Sequence, residues 1–121
     1  MSNKFSTRNF NMSEFTCRCG CGMNVDPKLI MVMQAVRAYW KQPITITSGA
    51  RCPKHNAVVS KATKSRHMAG DACDFIVKGI SPQLVAGHLR SIFPNSCGVA
   101  YSNKAGFTHL DLREERADWT Y

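Results

Sequence analysis

The chain has 121 residues, 44% of them hydrophobic and 20% charged. That is enough for one domain with a real core, too little for two, and not the composition of a disordered segment. Sixteen Lys+Arg against eight Asp+Glu give a formal net charge of +8, a field that attracts polyanions: nucleic acid, anionic lipid or cell-wall polymer.

No apolar run approaches membrane-spanning length, and the first residues lack the apolar core of a signal peptide, so neither membrane insertion nor export by a leader is expected. The chain reads as a single domain, 1–121, with residues 1–12 as a polar lead-in. Cys17-Arg18-Cys19-Gly20-Cys21-Gly22 follows, too rich in glycine and cysteine for a helix or a central strand. Asp26-Pro27 is an N-cap with proline at the first helical position. Leu29, Met33, Val36 and Trp40 then form one apolar stripe, so a core helix is expected over 27–41. Pro43 to Thr47 alternates and is β-branched, which predicts a strand ending at the Ser48-Gly49 turn before Arg51. A short helix opened by Pro53 is expected over 53–60, then a polar, basic loop over 60–71 that holds His67.

Residues 72–77 read as a strand with Asp74 and Ile76 on one face and Cys73, Phe75 and Val77 on the other. Ser81-Pro82 repeats the cap-plus-proline signal and opens a second amphipathic helix, with Leu84, Val85, Leu89, Ile92 and Phe93 as its apolar positions and His88 on its solvated face. Residues 98–101 and 107–112 read as closing strands, and in the second Phe107, His109 and Asp111 share a face.

His67, Asp74 seven residues later, and His109 on a strand make an open zinc site. Imidazole nitrogen and carboxylate oxygen are ordinary zinc ligands, and three protein ligands leave a fourth position for water. The spacing excludes the helical H-E-x-x-H arrangement. The plainer alternative is a surface His67 with an Asp74 that only caps or pairs. Basic residues are scattered rather than clustered, and the cysteine knuckle has no downstream histidine or cysteine at finger spacing, so a nucleic-acid partner is not expected.

Three blocks carry a resemblance. They are Ile46-Thr47-Ser48-Gly49-Ala50-Arg51-Cys52-Pro53-Lys54-His55-Asn56, then Ser65-x-His67-x-x-Gly70-x-Ala72-x-Asp74, then Gly98-Val99-Ala100-Tyr101 with Phe107-x-His109-x-Asp111-x-Arg113. In this order they resemble the zinc D-alanyl-D-alanine peptidases, a family of D,D-carboxypeptidases, D,D-dipeptidases and phage endolysins. The resemblance implies an α+β Hedgehog/DD-peptidase fold, with a small, mostly antiparallel sheet and helices packed on one side. It implies one Zn2+ per chain held by His67, Asp74 and His109, and Arg51 on the substrate carbonyl oxygen or carboxylate.

The implied substrate is the stem peptide of bacterial peptidoglycan, and the implied protein a monomeric phage or prophage endolysin, held in the host cytoplasm until released to the wall or periplasm. A cellular D,D-carboxypeptidase and a non-catalytic, zinc-containing wall-binding module are the alternatives. Several relatives carry a glutamate base three residues before the last zinc histidine, where this chain has Gly106. Asp111 then stands either as the base or as a partner orienting His109, and Tyr101 as an oxyanion stabiliser or acid. For the cysteines, a disulfide from Cys17, Cys19 or Cys21 to Cys52 is expected, with a second, structural zinc as the other reading. Cys73 and Cys97 read as small buried hydrophobes.

Overall fold

A computed structural model describes residues 5–60 and 65–121. Residues 1–4 of the expected lead-in, and 61–64 of the expected loop, lie outside them. Among the described residues the fold is α+β, with three α-helices and one five-stranded sheet.

Helix α1 spans Pro27–Trp40, and the Asp26 carboxylate accepts from the Lys28 amide as its cap. It ends where Lys41 turns left-handed (φ 54°), one residue before the expected boundary. Strand β1 is Ile44–Ser48 and helix α2 is Pro53–Val59. A 3-10 turn, Arg66–Ala69, interrupts the expected basic loop. Strand β2 is Ala72–Val77 and helix α3 is Pro82–Ile92, capped by the Ser81 hydroxyl accepting from the Leu84 amide. Strands β3, Gly98–Ser102, and β4, Phe107–Asp111, follow. A final strand, β5 at Ala117–Thr120, was not anticipated.

Sheet order is β1-β2-β4-β3-β5. The first four strands pair antiparallel, and β5 joins β3 in parallel, which makes the sheet mixed. Opposite faces of the strands serve opposite purposes. Cys73, Phe75, Val77, Val99 and Leu110 are buried in one cluster with Leu29, Met33 and Val36 of α1 and Val85 and Leu89 of α3. Helix α3 lies against β2, β3 and β4, and α1 meets β2. The other face, bearing Asp74 and His109, is left to form a cavity.

Three expectations about burial are corrected. Phe10 and Met12 are buried in the core rather than in a polar lead-in, because a Ser6–Asn11 bridge folds that segment back so that Phe10 packs edge-on to Phe15. Leu84 and Ile92 of α3 are exposed, and the buried positions of that helix are Val85, Ala86 and Leu89. His88, expected on the solvated face, is half-buried: its ring stacks on the exposed Tyr39 of α1 at 3.6 Å. Cys73 and Cys97 are buried, as expected. Among the described residues no helix is long and apolar enough to cross a membrane.

Candidate metal centre

Strand register brings the centre together. Asp74 on β2 stands directly opposite His109 on β4, on the face away from α1 and α3. A register shift between Ile46 and Ser48 marks a bulge at the end of β1. Such bulges re-aim the chain, and here the next residue, Gly49, presents its carbonyl to His67. His67 itself sits in the 3-10 turn, where the Ser65 hydroxyl accepts from its amide and its carbonyl accepts from the Arg51 amide.

The tautomers follow from these partners. A carbonyl can only accept, so His67 Nδ1, 2.7 Å from Gly49 O, carries the proton. In the neutral ring Nε2 is then the lone pair, buried and without a hydrogen-bond partner among the described residues. That atom lies 3.4 Å from Asp74 Oδ1, and His109 Nδ1 lies 2.8 Å from the same oxygen. All three ligand atoms fall within 4.8 Å of one another. Ligand atoms around a tetrahedral zinc stand roughly 3.4 Å apart, so two imidazole nitrogens and one carboxylate here could hold that ion. The unpartnered Nε2 of His67 is what a bound cation would satisfy.

Charge is concentrated at this point. Burial raises the Asp74 carboxyl, but His109, hydrogen-bonded to it, and the nearby His67 ring outweigh it and bring its pKa down to about 2. Burial lowers His109, yet Asp111 and Asp74 lift it above its ordinary 6.5. The trio opens into a cavity of about 480 Å3, which Arg51 also lines. Arg51 Nη2 donates to Ser65 Oγ at 3.2 Å, and its Nε is buried without a partner among the described residues. Burial lowers the Arg51 pKa, and the nearby Asp74 charge partly restores it.

A family model described as Peptidase M15 matches residues 3–111. The chain belongs to the Peptidase M15 family. No curated protein matches it. M15 enzymes are zinc-dependent metallopeptidases, and the donor set of this M15 peptidase fits that metal.

The remaining expected residues divide. Asp111 is fully buried behind His109, with Oδ2 2.8 Å from His109 Nε2, on the side of the ring away from Asp74. Arg113 grips it with both Nε and Nη2 at 2.7 Å, and the Gly98 amide donates to Oδ1. Burial raises the Asp111 carboxyl, while Arg113 and His109 hold it well below the usual carboxylate range. A general base facing the cavity is therefore not its position. Tyr101 is also corrected. Its neighbour Ala100, not Tyr101, pairs with His109, so alternation turns the phenol toward α3. There it lines a separate cavity of about 500 Å3 with Gln83 and Ala86. Gly106 lies in the β3–β4 turn with φ +81°, a conformation that disfavours glutamate.

Sequence reasoning missed Trp119 and Tyr121. Trp119 pairs with Ala100 and lies 5.1 Å from the His109 ring, with the Arg113 guanidinium 5.2 Å over its own ring. Tyr121 lines the metal cavity, and burial followed by the Asp74 charge raises its phenol. The signal was the alternation Ala117, Trp119, Tyr121 after the last expected strand.

The expected disulfide is absent. Cys17, Cys19, Cys21 and Cys52 are all free thiols, and Cys19 Sγ stands 3.5 Å from Cys52 Sγ, against about 2.0 Å for a bond.

Proposed function

We propose that this chain is a zinc-dependent peptidoglycan peptidase that hydrolyses a stem-peptide bond, of the phage or prophage endolysin type. The observation that carries this is the convergence of His67 Nε2, Asp74 Oδ1 and His109 Nδ1 on a cavity that also contains Arg51. A zinc ion held there supplies Lewis-acid polarisation of the scissile carbonyl and makes water acidic enough to attack at neutral pH.

The chain's own groups do the rest. Arg51, steadied by Ser65, binds negative charge on the substrate: the carbonyl oxygen as it becomes an oxyanion, or a terminal carboxylate. Asp111 holds the Nε2 proton of His109, which fixes the ring and leaves Nδ1 as a lone pair toward the cavity. Tyr121 lines the same cavity, and a phenol is protonated at neutral pH, so its Oη is a hydrogen-bond donor there. Asp74 is the sole carboxylate among the described residues lining the cavity, and its place there is that of a metal ligand. Trp119 covers the His109 ring and limits water access to it. The +8 charge favours approach to an anionic wall, where the protein would act once released from the host cytoplasm.

A cellular D,D-carboxypeptidase is the second reading, favoured by Arg51 because a permanent cation suits a free C-terminal carboxylate. Digestion of purified peptidoglycan, followed by mass spectrometry, separates them. Fragments with new ends inside the stem or cross-bridge support an endolysin; loss of terminal D-alanine alone supports the carboxypeptidase. No cleavage with zinc bound overturns both in favour of a wall-binding module.

A further inference from the structure

Outside the cavity, the described residues hold one other cluster of metal-ligating side chains: Cys17, Cys19, Cys21 and Cys52. Their four sulfurs lie within 4.8 Å of one another. Cys17 Sγ is 3.4 Å from Cys19 Sγ, and Cys19 Sγ is 3.5 Å from Cys52 Sγ. Zinc–thiolate bonds of about 2.3 Å put the sulfurs of a tetrahedral site roughly 3.8 Å apart. The spacing is too long for a disulfide and right for four thiolates around one ion.

We propose that these four cysteines hold a second, structural zinc, distinct from the His67–Asp74–His109 centre. The ligand set is closed, with four protein sulfurs and no position left for water, which is the mark of a structural site. Backbone donors surround the sulfurs: the Cys52 amide points at Cys17 Sγ and the His55 amide at Cys52 Sγ, each at 3.4 Å. Such N–H groups favour the charged thiolate over the thiol. Three ligands come from a stretch of five residues, and that demands a tight wrap. Gly20 and Gly22, at φ +84° and +87°, supply the left-handed turns it needs.

The site's position explains its use. Cys52 directly follows Arg51, and the Ala50 amide donates to the Phe15 carbonyl at 2.8 Å. Gly49, in the same turn, accepts from His67. One ion would therefore tie the N-terminal segment to the turn that orients a ligand of the first centre and presents Arg51 to the cavity.

The test is zinc content of the full chain, purified under reducing conditions, together with cobalt substitution. Wild type should carry two zinc ions per chain. The double variant His67→Ala/His109→Ala should fall to one, and on cobalt exchange should keep the intense near-ultraviolet absorption of thiolate–cobalt charge transfer. Cys19→Ser/Cys21→Ser should lose that absorption while retaining the other ion. The histidine variant leaves the cysteine segment untouched, so its spectrum decides the matter even if the cysteine variant fails to fold. No metal in the histidine variant, four freely reactive thiols in native wild type, or an intact mass showing a Cys52 disulfide would each overturn the proposal.

Discussion

Asp111 meets His109 at Nε2, 2.8 Å away, on the side of the imidazole turned from Asp74. A carboxylate so placed sets the ring's tautomer and cannot reach a substrate in the cavity. Asp111→Asn keeps an oxygen that can accept from Nε2 but loses the charge that binds Arg113. Its expected effect is zinc affinity weaker by roughly 10- to 100-fold, the scale for partners of ligating histidines, with turnover largely recovered at saturating zinc. Activity titrated against free zinc distinguishes this from loss of a base, which would depress turnover at every zinc concentration.

Gly98 makes the same arrangement possible from the other side. A Cβ at this position would lie 2.3 Å from Asp111 Oδ2. Gly98→Ala should therefore destabilise the fold by about 1–3 kcal/mol, as overpacking does, and weaken zinc binding along with it. Thermal denaturation with and without zinc measures both. An alanine variant with wild-type Tm and affinity would show that Asp111 is not held as described.

Arg51 offers a cation without touching the three ligand atoms. Arg51→Ala should leave zinc content unchanged and lower turnover by roughly two to three orders of magnitude, the scale for a lost oxyanion donor. Arg51→Lys should recover only part of it, because an ammonium is not a fork. Metal analysis beside steady-state kinetics provides the check.

Acidity should act on the metal-free protein in a defined window. The folded pKa of His109 is raised above 6.5, so its contribution to stability is complete below 6.5 and lost as pH rises through the folded value. The folded pKa of Asp74 is depressed to about 2, so its contribution is present above its ordinary 3.8 and lost as pH falls toward the folded value. This cluster therefore stabilises the metal-free chain most between 3.8 and 6.5. Zinc affinity should rise with pH above that window, as His109 Nδ1 loses its proton to solvent and its lone pair becomes free for the metal. Melting curves of chelated and zinc-loaded protein across pH should diverge in this direction; parallel curves would contradict it.

Much of this was legible in the chain because local chemistry decided it. Asp26-Pro27 and Ser81-Pro82 announced α1 and α3, and alternation placed Asp74 and His109 on their strands. Alternation could not say which strand neighbours which. Tyr101 sits on the wrong face for the cavity because β3 offers Ala100 opposite His109, a fact of register rather than of residue type. Strand β5 is four residues long and forms by parallel pairing along the β3 edge, a non-local contact with little local signal. Phe10 and Met12 were hidden as isolated apolar residues in a polar stretch. The four cysteines were visible, but their separations were not, and the separations distinguish a metal cluster from a disulfide.

The most direct measurement is cleavage of purified peptidoglycan by zinc-loaded, chelated and zinc-restored protein, with zinc content determined on the same samples. Activity should be present, abolished and restored in step with the metal, and absent in His67→Ala and in His109→Ala although both keep the core that packs on the opposite face of the sheet. Cleavage that persists in fully stripped protein, or in either histidine variant at wild-type rate, would contradict the assignment of His67, Asp74 and His109 as the catalytic zinc centre.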